Sequence, residues 1–229
     1  MKDRVLVIDI GGSHVKIMMS PARSLQFDSG PEMRPRDFVA QFHRTVRDLR
    51  FDKVSIGFPA PVRDGKIISA PTHLRKEWKG FKLERVMDKP VRVVNDAAMQ
   101  ALGSHVAGRT LFLGLGTGLG SALVWSNNVL SLELGHLPYR DHKRIELRLG
   151  KPGLERLGRR AWRGEVRYAI LQLKRAFIAD AIILGGGNVH NMGRLPAGVH
   201  PGHNRNAFLG GKRLWETDRK TGKPRWNVM

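Results

Sequence analysis

The sequence contains no cysteine. That removes disulfides, thiolate nucleophiles and cysteine zinc sites, and it agrees with an expected cytoplasmic location. Acidic residues are scarce: twenty Asp and Glu stand against forty Lys and Arg, a formal net charge of +20. Such a surface attracts polyanions, whether nucleic acid, polyphosphate or an anionic membrane. No apolar run reaches the about 18 residues that suggest a membrane-spanning helix, so none is expected. Met1-Lys-Asp-Arg4 leads straight into an apolar stretch and lacks the pattern of a signal peptide. What remains is an ordinary globular composition, 41% hydrophobic over 229 residues. It suffices for one large domain or two small lobes with cores of their own.

The chain is organised around Val5 to Lys16. Val5–Ile8 is a short, β-branched apolar run that reads as a buried strand, with Asp9 at its end. Gly11 and Gly12 follow, then a second apolar stretch, Val15–Met19, so the unit reads as a β-hairpin. Glycines without Cβ atoms let backbone N–H groups approach an anion, and Ser13 and Lys16 add a hydroxyl and a cation. A carboxylate at the strand end can hold Mg²⁺, usually through water. The second half restarts the pattern: strand Thr110–Leu115, glycine turn Gly116-Thr-Gly-Leu-Gly120, strand Ser121–Trp125. Two such units imply duplicated lobes with a cleft between them.

The intervening chain alternates strands and helices, which indicates a parallel component in the sheet. Ser24–Asp28 is a candidate strand. Phe38, Val39, Phe42, Val46 and Leu49 have helical spacing, predicting an amphipathic helix over Asp37–Leu49. Val54–Phe58 is a strand, Asp64-Gly65 a turn into Lys66–Ser69, and Leu83–Met87 a short helix. Val91–Val94 is a strand, after which Asp96 can N-cap a helix over Ala97–Leu102. Val166, Ala169, Ile170, Leu173, Ala176 and Phe177 predict the clearest amphipathic helix. Strand Ala181–Leu184 then runs into Gly185-Gly-Gly187, and Ala207–Trp215 is a last helix. Thr217–Met229 is expected to be a loose, basic tail.

Four clusters fall at the C-terminal ends of predicted strands, where open α/β sheets bind ligands: Asp9–Lys16, Asn95-Asp96, Gly116–Gly120 and Gly185–Asn188. Three are glycine-rich, and with two carboxylates they suit phosphoryl transfer, in which positioning and charge neutralisation supply most of the catalysis. Asp96 is the candidate general base, against the plainer alternative that it only caps the next helix. Asn95 beside it offers a polyol both a donor and an acceptor. Glu133-Leu-Gly-His136 places a carboxylate and an imidazole where they can bind vicinal hydroxyls, unless the pair is a surface turn. His136 and His142 lie near each other without regular ligand spacing, so zinc is not expected.

Six segments resemble, in order, the motifs of ROK-family sugar kinases: Asp9-Ile-Gly-Gly-Ser-His-Val-Lys16, Ile56-Gly-Phe-Pro-Ala-Pro-Val62, Val94-Asn-Asp-Ala97, Leu113-Gly-Leu-Gly-Thr-Gly-Leu-Gly120, Glu133-Leu-Gly-His136 and Ile183-Leu-Gly-Gly-Gly-Asn188. Leu195-Pro-Ala-Gly-Val199 and the segment Ala207 to Trp215 resemble the polyphosphate glucokinase branch in particular. The resemblance implies an α/β, two-lobed actin-like ATPase fold, a duplicated ribonuclease H-like arrangement with the active site between the lobes. Residues 1–105 would form the N-terminal lobe and 106–216 the C-terminal lobe, its last helix packing back on the first, with 217–229 as tail. It also implies roles. Asp9 would help hold Mg²⁺, Gly11, Gly12, Ser13 and Lys16 would form the first phosphate loop, and Gly116, Thr117, Gly118 and Gly120 the second. Asp96 would deprotonate the 6-hydroxyl of glucose or a similar hexose. Asn95, Glu133 and His136 would bind its other hydroxyls, and Gly185, Gly186, Gly187 and Asn188 would line an adenosine pocket. The donor would be ATP, polyphosphate or both, and a homodimer is implied as well.

Two departures stand out. Leu137-Pro-Tyr-Arg-Asp-His142 replaces the cysteine-rich zinc motif of many members, a motif the polyphosphate branch also lacks. His73 stands five residues before Trp78, where the family usually places a sugar-contacting Asn, so the sugar itself is left open. Repressors of the family carry an N-terminal helix-turn-helix, and a first strand at Val5 argues against that class. The other alternative is a non-catalytic polyanion-binding protein, which would tolerate loss of Asp96. No specific nucleic acid is expected as partner.

Overall fold

The computed structural model describes residues 3–203 and 205–229. Met1 and Lys2, part of the segment that leads into the first strand, lie outside them. Strands β1 (Val5–Ile10), β2 (His14–Ser20) and β3 (Arg23–Asp28) form an antiparallel meander, followed by helix α1 (Pro35–Val46) and strand β4 (Lys53–Phe58), which pairs parallel to β1. A small hairpin, β5 (Val62–Arg63) and β6 (Lys66–Ile67), turns through Asp64 and Gly65, both at positive φ, as a two-residue primed turn requires. Strand β7 (Val91–Asn95) completes a sheet of order β3-β2-β1-β4-β7 and leads into α2 (Asp96–Ser104).

The second half repeats this path. Strands β8 (Thr110–Leu115), β9 (Leu119–Trp125) and β10 (Asn128–Leu132) form the meander, and α3 (Glu146–Leu149) and α4 (Lys151–Ala176) follow. Strands β11 (Ala181–Gly185) and β12 (Val199–Pro201) add in parallel before α5 (Asn206–Arg213). The sheet order is β12-β11-β8-β9-β10-β13, where β13 (Asn227–Val228) is an addition at the edge. This is the two-lobed, duplicated architecture of the actin-like ATPases. Among the described residues, no helix is long and apolar enough to cross a membrane.

Both central strands are buried on two faces, which is why they read as continuous apolar runs rather than alternating ones. In β1, Leu6, Ile8 and Ile10 face a core with Phe38 and Phe42 of α1, whereas Val5 and Val7 face the interior between the lobes. In β8, Leu111, Leu113 and Leu115 face the core beneath α4, and Phe112 faces inward. The layers therefore run α1, first sheet, α2 with α5, second sheet, α4.

The middle layer joins the lobes. Helix α2 packs on β8 and β9 of the other sheet, and α5 packs on β1. The helices cross almost backbone to backbone: a Cβ at Gly103 would overlap the carbonyl oxygen of Asn206, and one at Gly210 that of Met99. Ser55 ties the end of this layer to the first sheet. Its hydroxyl donates to the Gly211 carbonyl at 2.6 Å and accepts from Trp215 Nε1 at 2.8 Å.

Several boundaries differ from the sequence expectation. Helix α1 spans Pro35–Val46 rather than Asp37–Leu49, because Pro35 suits the first turn and Asp37 accepts the Arg34 N–H at 3.0 Å. The short helix at Leu83 is a single 3-10 turn, Leu83–Arg85. Helix α4 is bent at Gly158, whose φ of 73° no helical residue adopts. The tail is not loose. Residues 217–229 fold back, Trp226 is buried in the interlobe core and donates to Glu216 at 2.9 Å, and Asn227–Val228 pair with β10. Its charge count concealed two apolar anchors, Trp226 and Val228.

Gly210→Ala tests the helix crossing. Overpacking against a carbonyl that cannot yield should cost about 1–3 kcal/mol despite the gain in helix propensity. Gly164→Ala, on the exposed face of α4 with open space around it, should instead stabilise by up to about 1 kcal/mol. Urea unfolding of both variants measures the difference.

Candidate active site

Two adjoining cavities lie between the lobes. The first, about 320 Å³, opens between the two glycine loops. Gly11 and Gly12 line it from the first lobe and Gly116, Thr117, Gly118 and Gly120 from the second. His73, Asn95, Asp96, Glu133 and His136 also line it. The second cavity, about 240 Å³, lies deeper and brings together Asp9, Lys16, Gly185, Gly186 and Gly187. Two sequence candidates line neither. Ser13 is exposed, its carbonyl accepting the Ser29 N–H, and Asn188 instead donates to the Gly116 carbonyl at 3.0 Å.

Local structure explains how each group is held. Asp9 is the penultimate residue of β1, directly across from Lys16 on β2. The Gly11 N–H is taken by the His14 carbonyl at 2.9 Å, whereas among the described residues no backbone acceptor takes the Gly12 or Ser13 N–H. His73 sits on a loop anchored by Trp78, which is fully buried against Phe38 and Phe58 and donates to the Met33 carbonyl at 2.9 Å. The loop packs tightly on the first turn, since a Cβ at Gly12 would stand 3.0 Å from His73 Cβ. The 3-10 turn Leu134–His136 is fixed by Ser121, whose hydroxyl accepts the Leu134 N–H at 3.1 Å. In the second glycine loop, the Gly116 carbonyl accepts from Lys151 N–H at 2.9 Å as well as from Asn188.

Asp96 does not cap the helix, contrary to one sequence alternative. Asn95 is the N-cap, accepting the Ala98 N–H at 3.1 Å, and its amide donates to the Ala60 carbonyl at 3.3 Å. Asp96 is thereby freed at the first helical position, where its carboxylate accepts the Ala97 N–H at 2.7 Å. Burial pushes its pKa up to about 7, and the nearby charge of Asp9 adds to the shift. Burial likewise raises Asp9 to about 6, with Lys16 working against it. Glu133 is raised by burial, opposed by His136 and reinforced by Glu146.

Three residues of this region were given no role by the sequence. Gly57 in β4 separates the acids: a Cβ there would stand 3.2 Å from Asp96 Cα and 3.4 Å from Asp9 Oδ1. Glu146, at the start of α3, reaches into the second loop, where a Cβ on Gly118 would be 2.9 Å from its Oε2. It pairs with Arg144 at 3.0 Å, and α3 is locked to α4 by Trp162, which donates to the Leu149 carbonyl at 2.9 Å. Gln100, one turn beyond Asp96, lines both cavities. Its spacing of four from Asp96 was the available signal. Nothing comparable marked Glu146.

Mg²⁺ fits the one acid of the deeper cavity, Asp9. Asp9 is a carboxylate at a strand end with one cation to offset its burial. Among the described residues no three His, Asp or Glu side chains converge, so phosphate and water oxygens would complete the octahedron that Mg²⁺ takes.

A sequence model described as the ROK family matches residues 5–146. No curated protein matches the chain. Among solved structures, the chain is similar to an inorganic polyphosphate/ATP-glucomannokinase from Arthrobacter sp. strain KM, at TM-score 0.78 and 22% identity over 92% of this chain and 97% of that one. It is similar to a ROK family glucokinase from Streptomyces griseus in complex with glucose and AMPPNP, at TM-score 0.72 and 15% identity over 90% and 97%. A ROK family transcriptional regulator, a homologue of the E. coli MLC protein, aligns at TM-score 0.68 and 14% identity over 90% of this chain and 76% of that one. At these identities the likeness concerns the fold.

The raised pKa of Asp96 has a thermodynamic signature. A carboxyl group that holds its proton more tightly when folded contributes stability below its ordinary value of 3.8, and that stability is lost as pH rises through about 7. Asp96→Asn stays neutral throughout. Its Tm should match the wild type near pH 4 and exceed it above pH 7, by about 2–4 °C for each kcal/mol relieved. Thermal melts without metal or phosphate measure this, and an offset independent of pH would contradict the assignment.

Proposed function

The chain belongs to the ROK family, and we propose that it is a sugar kinase that moves a phosphoryl group from ATP or polyphosphate to the 6-hydroxyl of glucose or a related hexose. The observation that carries this reading is Asp96. It stands at the end of β7 in a cleft flanked by two glycine loops, with a pKa of about 7. A general base is most effective when its pKa lies near the working pH.

In this reading the hexose occupies the first cavity. His73, Glu133 and His136 bind its hydroxyls, and Asn95 contributes the N–H and lone pair that its structural bonds leave over. Asp96 accepts the proton of the attacking hydroxyl. The donor phosphates run from the deeper cavity, where Lys16 offsets their charge and Gly185, Gly186 and Gly187 leave room for the nucleotide, toward the amides of Gly12, Thr117 and Gly118 in the first cavity. Asp9 would hold Mg²⁺, which when bound supplies neutralisation of the phosphate charge. In this reading the two lobes would bring acceptor and donor into one line, the arrangement on which phosphoryl transfer depends.

Polyphosphate as donor is supported by the charge excess. A long polyanion extends beyond the cleft and meets exposed cations, whereas ATP ends at its adenosine. Such contacts weaken as the Debye length falls from about 10 Å at 0.1 M salt to about 3 Å at 1 M.

Two measurements test the proposal. Asp96→Asn should fold normally and lose about 10²-fold or more in turnover, assayed across several hexoses with ATP and with polyphosphate. Turnover close to wild type would remove Asp96 as the base. In a KCl series, the KM for long polyphosphate should rise more steeply than the KM for ATP, and increasingly so with chain length. Equal slopes would mean that the excess charge touches no substrate.

A further inference from the structure

Gln100 occupies the boundary between the two cavities. It lies four residues beyond Asp96 on α2, a spacing that puts both side chains on one helix face. It lines the cavity that contains Asp96 and also the deeper one that contains Asp9 and Lys16. Two other residues are shared by both cavities, Phe112 and Gly186. Phe112 is buried at 1% exposure, and its ring fills the space above Gly114 and Gly185, where side chains would collide with it or crowd it. The boundary thus has one apolar side chain and one polar side chain, with the Gly186 backbone beside them. Across it, a Cβ at Gly185 would stand 3.5 Å from Gln100 Oε1, and a half-turn about the last torsion of the side chain exchanges that oxygen with the amide nitrogen. Among the described residues, no hydrogen bond within the protein engages that amide.

We propose that Gln100 is a catalytic residue that donates its amide N–H groups to the phosphoryl group as it passes from the deeper cavity to the acceptor beside Asp96. This rests on the kinase reading above. Any group moving between the cavities crosses the plane of Gln100 and Phe112, and the phenyl ring offers it no hydrogen bond. During transfer, the phosphoryl group spreads its charge over three equatorial oxygens. A preorganised donor aimed at that position stabilises the transition state more than the ground state. An amide suits the place better than a cation. Lys or Arg one turn from Asp96 would favour its ionised form and weaken it as a base, whereas Gln donates without adding charge. The step itself is the transfer already proposed: the sugar oxygen forms a bond to phosphorus, the bridging bond to the donor breaks, and the hydroxyl proton goes to Asp96.

The test compares wild type with Gln100→Met, which keeps length and volume and removes both donors, and with Gln100→Ala. We expect both to lower kcat by about 10²-fold while leaving both KM values nearly unchanged. The acid limb of the kcat–pH profile should stay in place, because no charge near Asp96 has changed. If Gln100 only held Asp96 in position, that limb would move, and the proposal would be overturned. Unchanged kcat in an active enzyme would overturn it too, leaving the kinase reading intact. If the wild type phosphorylates no sugar with either donor, the kinase reading fails and the proposal, which rests on it, fails with it.

Discussion

The rest of the molecule depends on the contact between α2 and α5, where two helices approach until backbone meets backbone. Only glycine permits it at Gly103 and Gly210. The contact fixes how the two sheets face each other, because each helix follows one sheet in sequence and packs on the other in space. It also aims the N-terminus of α2, and hence Asp96, into the space between the glycine loops. A wider crossing would part the lobes and admit water around both acids, and the desolvation that raises their pKa values would fade.

The cleft puts acids where they are costly. Asp9 and Asp96 lie on either side of Gly57, both raised by burial, and the charge of Asp9 further disfavours that of Asp96. The fold holds them there through structure remote from the charge itself. Asn95 takes over the capping task and leaves Asp96 free, and the buried Trp78 and Trp162 steady the loop with His73 and the helix with Glu146. Strained electrostatics and firm packing serve the same site. Stability given up at the acids is recovered in cores made of side chains with no chemistry to perform.

Much of this was legible in the sequence because it is local. The strand–glycine turn–strand units, the apolar runs and the amphipathic pattern of α4 each occupy one stretch of chain, and short-range physics determines them. What escaped depends on partners distant in sequence. Asn95 and Asp96 are both good capping residues, and only the path of β7 into α2 decides between them. Gly57, Gly103 and Gly210 look like ordinary glycines until another backbone arrives. Thr217–Met229 reads as a tail by its charge, yet Trp226 finds a place in a core that exists only once both lobes are formed. Glu146 reaches Gly118 from a helix that begins well beyond that loop in the chain.

The repeated topology has a further consequence, for the two sides of the cleft. The sheets are superposable in strand order, so positions in one have counterparts in the other. Asp9 pairs with Lys16 on one side and Gly57 on the other, and Gly114, at the same place in the second sheet, pairs with Gly120 and Gly185. One copy of the repeated unit carries the acid and its countercharge; the other carries three glycines, with the ring of Phe112 lodged above two of them. An acid at Gly114 as well would join Asp9, Asp96 and Glu133 around a site built for phosphates. The repeated topology gives this molecule its frame, and two differences within it, Asp9 against Gly114 and Lys16 against Gly120, make the central strand pair charged on one side of the cleft and uncharged on the other.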